Sequence, residues 1–234
     1  LHLLGERQSG TKWMTQYLID CFGEDVEDRR KFSTWKHWFQ KENPRFKRAV
    51  IVMQFRNPYY WVEAMHRFPH HSPEHFDLDW RSFVTKPWTM PRYGEDIAFE
   101  DSSAKNSRKG LACKICPSLH QYEVIPCMSN WTILQEVPGT KNQRATDAFY
   151  ELDHGGNGQP YASILDLRAA KIKNFLSVAD FPNVDEAFAV QYEDMISGGT
   201  AVLVTALETA LGVKARCEPY KGSVTEKRPL DPDI

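Results

Sequence analysis

Apolar residues fall in short blocks separated by polar and glycine-rich joints. Leu1-His2-Leu3-Leu4 runs into Gly5 and reads as a buried first strand. Thr11 to Cys21 carries Trp13, Met14, Tyr17 and Leu18 on one side at helical spacing, with Gly23 as its stop. Lys31 to Phe39 alternates aromatic and polar residues, the pattern of a second strand. Ala49 to Phe55 is nearly all apolar and fits a central parallel strand buried on both faces. Asn57-Pro58 breaks it, and Tyr60 to Arg67 is expected to be helical.

Pro69 to about Val137 lacks that rhythm. It holds His70, His71, His75, several prolines and the polar stretch Glu100 to Lys109, and reads as a long irregular insertion with one or two short helices. Thr140 to Pro160, with Gly155-Gly156-Asn157-Gly158, reads as loop. Ile164 to Val178 has the spacing of an amphipathic helix, Ala187 to Tyr192 that of a strand, and Thr200 to Leu211 that of a helix ended by Gly212. Strands alternating with helices imply a three-layer α/β/α fold with a central parallel sheet and a P-loop-like strand-loop-helix at the start, in one domain over residues 1–234.

Composition narrows the class. The 234 residues suffice for one sizeable core, and 41% hydrophobic with 26% charged residues is ordinary for a globular protein. A formal net charge of −2 gives no reason to expect a nucleic-acid partner. No apolar run reaches the length of a membrane span, and no signal peptide is visible, although a start inside a strand is compatible with a missing upstream anchor. The five cysteines are Cys21, Cys113, Cys116, Cys127 and Cys217, an odd number. Three of them cluster around His120; a metal site, a loop disulfide and plain buried thiols all remain open for them. Asn130-Trp131-Thr132 is an N-glycosylation sequon. Localisation therefore stays between the Golgi lumen and the cytoplasm.

The chemistry is expected at the first joint. Gly5-Glu6-Arg7-Gln8-Ser9-Gly10-Thr11-Lys12 connects a strand to a helix, where backbone N–H groups and the helix dipole favour an anion. Gly5 and Gly10 permit a tight backbone, and Ser9, Thr11 and Lys12 add donors. The Thr11-Lys12 order is the reverse of the Lys-Ser/Thr order of nucleoside-triphosphate loops, which counts against a kinase.

Gln8-Ser9-Gly10-Thr11-Lys12-Trp13 resembles the loop Lys-Ser-Gly-Thr-Thr-Trp of sulfotransferases that use 3′-phosphoadenosine 5′-phosphosulfate (PAPS). Gln8 stands where that family has a lysine, so Arg7 and Lys12 are the available replacements. Phe55-Arg56-Asn57-Pro58 is similar to the family's 3′-phosphate segment, with Ala64 at the place of a usual serine. Tyr192-Glu193-Asp194-Met195 resembles its adenine-side Tyr-Glu-Asp-Met/Leu, and Lys221-Gly222 the end of its Arg-Lys-Gly, with Tyr220 at the arginine. The likeness covers residues 1 to about 68 and about 160 to 222, leaving the insertion as the expected acceptor-binding part.

The resemblance implies PAPS as co-substrate without a metal, and transfer of its sulfuryl group to a hydroxyl or amine of a carbohydrate or small-molecule acceptor. It implies cofactor contacts from Arg7, Gln8, Ser9, Gly10, Thr11, Lys12, Trp13, Arg56, Tyr192, Lys221 and Gly222. Trp13 either stacks on the adenine or fills core. Trp35-Lys36-His37-Trp38 resembles the family's Lys-Thr-His segment, making His37 the general base, with Lys36, Arg7 and Lys12 steadying charge. Strict strand alternation would turn Lys36 and His37 to opposite faces, so a bulge or strand end is needed there. His66, His70, His71 and His75 are expected as loop residues near the acceptor mouth, with Glu74 and Asp77 as fallback bases. Trp80, Phe83, Trp88 and Tyr93 read as a packing cluster or an acceptor wall. Glu193 and Asp194 are expected to tie a strand end to neighbouring cations. The competing classes are a phosphoryl-transfer enzyme and a non-catalytic nucleotide-binding module.

Overall fold

The computed structural model describes residues 1–26, 32–33, 35–44, 48–69, 72, 75–88, 127–136, 143–151 and 161–223. His70, His71, Glu74, Tyr93, Cys113, Cys116 and His120 lie outside them. The chain divides into two compact units, one formed by Leu1–Glu63 with Lys171–Ile234 and the other by Ala64–Ala170.

The first unit is built on a parallel sheet of order β1-β2-β5, from β1 (His2–Gly5), β2 (Ala49–Phe55) and β5 (Val184–Gln191). The apolar run of β2 lies in the middle and is buried at every position but Phe55. Its alternate residues serve different clusters, as the strand period of two requires. Val50 and Val52 pack with Met14, Leu18, Cys21 and Phe22 of α1 (Thr11–Phe22) and with Leu203, Val204 and Leu207 near the chain's end. Ile51 and Met53 pack with Leu4, Phe32, Phe175 and Val178.

α1 buries Met14, Leu18, Cys21 and Phe22, one stripe at the i, i+4, i+7, i+8 spacing. It stops at Gly23, whose N–H bonds the Ile19 carbonyl. α2 (Pro58–Arg67) starts at the proline. Among the described residues 35–40 no strand forms: Trp38 N–H donates to the Trp35 carbonyl at 2.8 Å, closing a turn. The expected strand Lys31 to Phe39 is therefore corrected to a turn in its described residues. The buried Trp38 and Phe39 are held by Gln40, whose side-chain nitrogen donates to the Trp35 and Trp38 carbonyls.

The second unit contains α3 (Trp80–Thr85), capped by Asp79 accepting from Ser82 N–H. It also holds the antiparallel pair β3 (Cys127–Glu136) and β4 (Gln143–Tyr150). This corrects two expectations, since the end of the insertion and the supposed loop from Thr140 are strands. Each finds its backbone partners in the other, which neither segment's own pattern reveals. α4 (Ile164–Ser177) spans the expected helix, and its part from Lys171 onward belongs to the first unit. The expected strand ending at Tyr192 ends instead at Gln191, and Tyr192 begins a short helix, α5 (Tyr192–Gly198). α6 (Ala201–Leu211) closes at Gly212. No helix of the described residues is long and apolar enough to cross a membrane.

Candidate functional site

The joint between β1 and α1 is a loop with two left-handed residues, Gln8 at φ 59° and Gly10 at φ 78°. Left-handed backbone at a non-glycine is uncommon and needs neighbours to hold it. Here they are present. Arg56 Nη1 donates to the Gln8 carbonyl at 2.8 Å, and the Gln54 side-chain nitrogen donates to the Ser9 carbonyl. Trp61 Nε1 donates to the Arg7 carbonyl at 2.7 Å, and Ser9 Oγ to the Glu6 carbonyl at 2.6 Å. The side chains thus take up loop carbonyls. A loop so held, opening a helix of three turns, is suited to an anion.

The predicted residues divide accordingly. Gly10 lies under Tyr192: a methyl group there would run into the Tyr192 ring. Thr11 and Ser9 are buried, and the Ser9 hydroxyl donates to the loop's own Glu6 carbonyl. Lys12 is exposed, whereas Arg7 is only 5% exposed, which makes Arg7 the cation built into the loop. Arg56 bonds the loop, has its Nε 3.6 Å from Glu193 Oε1, and lies 6.0 Å from the Tyr192 ring. Glu193 also accepts from Asn57 N–H at 2.9 Å, as expected of a strand-end tie.

Trp13 belongs to an aromatic group. It stacks on Tyr17 at 5.6 Å and meets Tyr192 and Tyr220 edge-on at 6.4 and 5.8 Å. Tyr220 is locked in turn, since its N–H donates to Thr200 Oγ1 at 2.9 Å and its carbonyl accepts from Thr200 N–H at 2.9 Å. Gly222, at φ 83°, crosses so close to the Ser197 carbonyl that no side chain fits. The Lys221-Gly222 segment is thereby docked on the end of α5, and Lys221 is exposed.

The turn carrying Lys36 and His37 is tied to the loop's first residue from both sides. Gly5 N–H donates to the Lys36 carbonyl at 3.1 Å, and His37 Nδ1 bonds the Gly5 carbonyl at 2.6 Å. A carbonyl only accepts, so Nδ1 carries the proton and Nε2 is the basic nitrogen. Burial lowers the His37 pKa to about 3, against the Gly5 bond that raises it, with Lys36, Arg7 and Lys171 lowering it further. The turn removes the strand-alternation obstacle, because Lys36 and His37 no longer follow a pleat. Lys36 Nζ donates to Thr15 Oγ1 at 3.1 Å.

Lys171 escaped the sequence reading. Its signal was a lysine at an apolar helix position, four after Leu167 and four before Phe175, all three buried. A disulfide between Cys21 and Cys217 was also missed, joining the end of α1 to the segment before Tyr220. In the second unit His75 is buried and stacks on Trp88 at 4.1 Å, while His66 meets Phe83 edge-on at 5.0 Å. Both pack against aromatic rings, His66 from within α2 rather than from a loop, and Trp80, Phe83 and Trp88 form a packing cluster. No group of three or more metal-ligating side chains occurs among the described residues.

Comparison with protein-family models, curated proteins and solved structures finds no match to this chain.

Proposed function

We propose that this chain is a sulfotransferase that moves the sulfuryl group of PAPS to a hydroxyl or amine of a carbohydrate or small-molecule acceptor. The observation that carries the reading is the convergence on one loop of His37 through Gly5, Arg56 through Gln8, and Tyr192 over Gly10. These are the residues that the family resemblance names, and they meet although they lie far apart in the chain. The apolar clusters on alternate residues of β2 support the three-layer, P-loop-like form of the fold.

In this reading the donor's phosphate lies at the start of α1, its adenine beside Trp13 and Tyr192, and its 3′-phosphate near Arg56 and Lys221. The acceptor oxygen or nitrogen attacks sulfur, and the bond from sulfur to the 5′-phosphate oxygen breaks with its electron pair leaving on the phosphate. His37 Nε2 takes the acceptor proton. Its pKa of about 3 makes it a weak base by itself; the negative charges of a bound donor oppose the surrounding cations and raise it. The oxidised Cys21–Cys217 pair and the sequon support an oxidising compartment such as the Golgi lumen.

A binding module without turnover is the second reading, favoured by Gln8 at the lysine's place and by Arg56 already engaged with Gln8 and Glu193. Calorimetry with 3′-phosphoadenosine 5′-phosphate (PAP) and ATP, followed by single-turnover transfer from labelled PAPS, tests both. PAP binding tighter than ATP with transfer supports the enzyme. PAP binding without transfer to any of a panel of hydroxyl and amine acceptors supports the module. ATP binding as tight as PAP overturns the reading.

A further inference from the structure

Trp13, Tyr17 and Cys21 recur at every fourth position of α1 and so share one side of the helix. Each of them meets the stretch that follows α6. Cys21 is bridged to Cys217. The Tyr17 hydroxyl shares a hydrogen bond with Thr200 Oγ1 at 2.5 Å and accepts a longer one from Tyr220 N–H at 3.4 Å. Trp13 meets the Tyr220 ring edge-on.

Thr200 stands at the start of α6, where a threonine side chain ordinarily caps the helix, yet its hydroxyl does not do so. The residue is fully buried, and the hydroxyl is shared instead between Tyr17 and the Tyr220 N–H. A buried hydroxyl is costly unless bonded, and these two bonds satisfy it. The Thr200 N–H adds a bond to the Tyr220 carbonyl at 2.9 Å, and Gly199 has no room for a β-carbon against that carbonyl. Past Lys221, Ser223 N–H donates to the Ile196 carbonyl at 2.8 Å. Lys221 is thus an exposed lysine on a strap whose backbone is fixed on both sides of it. The Tyr17 ring meanwhile stacks on Trp13, with the two planes within 8° of parallel. One side chain therefore holds Trp13 with its ring and the strap with its hydroxyl.

We propose that Tyr17 is a specificity-determining residue that positions Lys221 relative to Trp13, so that the site selects adenosine nucleotides carrying a 3′-phosphate. The inference rests on the sulfotransferase reading above, in which the adenine lies beside Trp13 and the 3′-phosphate near Lys221. Tyr17 need not touch the nucleotide; it acts through the strap. A lysine on a free segment would lose much of its contact energy to ordering, whereas one on a fixed backbone has only its side chain left to order. The base and the 3′-phosphate are joined through one ribose at a set separation, and Tyr17 sets the matching separation between the ring and the cation that would receive them.

The test compares PAP with adenosine 5′-phosphate, which lacks the 3′-phosphate. Calorimetry reads both ligands on the wild type, Tyr17→Phe, Lys221→Met and the double variant. Tyr17→Phe keeps the ring against Trp13 and removes only the hydroxyl. It should weaken PAP by about 3–10-fold, as for one lost hydrogen bond, and adenosine 5′-phosphate by less than about twofold. In the Lys221→Met background it should weaken PAP no further, because the contact it acts through is already gone. A tyrosine with a merely structural role would weaken both nucleotides in parallel or add its full effect to that of Lys221→Met. Either result, or an unchanged PAP affinity, overturns the proposal. If Tyr17→Phe does not fold, Thr200→Val is read by the same ratio and in the same background. Failure of the wild type to bind PAP more tightly than adenosine 5′-phosphate overturns the underlying sulfotransferase reading instead, so the two failures are distinct.

Discussion

Tyr192 closes the loop by lying across Gly10, so the first residue of α5 sets the shape of the joint before α1. Gly10 is at once left-handed and without room for a β-carbon. Gly10→Ala should therefore lower stability by about 2–4 kcal/mol, combining backbone strain with overpacking. Adding Tyr192→Ala should recover the packing part but not the strain. Thermal melts of the two single variants and the double variant measure the coupling; simple additivity would mean that the ring does not restrain the loop.

Arg56→Ala removes the donor to Gln8 and a cation from the proposed 3′-phosphate side. PAP affinity should fall by about 2–4 kcal/mol, while the fold survives the loss of the bond to Gln8 at a cost of about 1 kcal/mol in stability. Arg56→Lys should recover little, because a planar fork serves Gln8 and a phosphate together and an ammonium does not. Calorimetry with PAP gives the answer, and wild-type affinity in Arg56→Ala removes the residue from the site.

For His37 the sign of the pH effect follows from its lowered pKa. The folded protein holds the ring neutral down to about 3, while the unfolded chain protonates near 6.5. Between those values the unfolded state binds more protons, so this contribution is fully present above about 6.5 and is lost as pH falls toward 3. His37→Asn keeps a donor for the Gly5 carbonyl and should flatten stability across that window, as denaturant titrations at pH 4 and pH 7 would reveal. If His37 is the base, the acid limb of kcat/KM should lie well below pH 6 rather than near 6.5, and His37→Asn should cut turnover by roughly 10²–10⁴-fold. A limb at 6.5 that survives in His37→Asn assigns the base to another group.

Replacing both Cys21 and Cys217 with alanine should cost about 2–5 kcal/mol, because the bridge spans 196 positions and restricts the unfolded chain. Reducing agent should lower the wild-type melting temperature toward that of the double variant and leave the variant where it is. Equal melting with and without reductant would show that the bridge contributes nothing.

The legible parts of the fold were those whose signal is local. β2 announced itself as a continuous apolar run, and α1 by the helical spacing of Trp13, Met14, Tyr17 and Leu18, of which Met14 and Leu18 are buried. The loop was marked by its glycines, although the ring that requires Gly10 lies 182 positions further on. What stayed hidden depends on partners distant in sequence. Trp35 to Phe39 alternates like a strand, yet its backbone closes on itself because Gln40 satisfies the carbonyls. β3 and β4 lack a pattern strong enough to name either alone. Cys217 lies far from the cysteines that look clustered, and it pairs with Cys21 only because the segment after α6 returns to α1, where Arg216 N–H bonds the Cys21 carbonyl. Lys171 was readable in hindsight as a charge on an apolar stripe.

The Cys21–Cys217 bridge makes the backbone between those residues a closed ring, and all of residues 64–170 is strung inside it. One cut of the peptide chain anywhere in that ring leaves a single covalent molecule, with β1 and the segment bearing Tyr220 still linked through sulfur. Such a nicked protein would run as an intact chain on a gel until a thiol was added, and the strands that frame the loop would keep each other at high local concentration throughout. The arrangement lets the inserted stretch change in length or be opened without releasing the two halves of the sheet from one another.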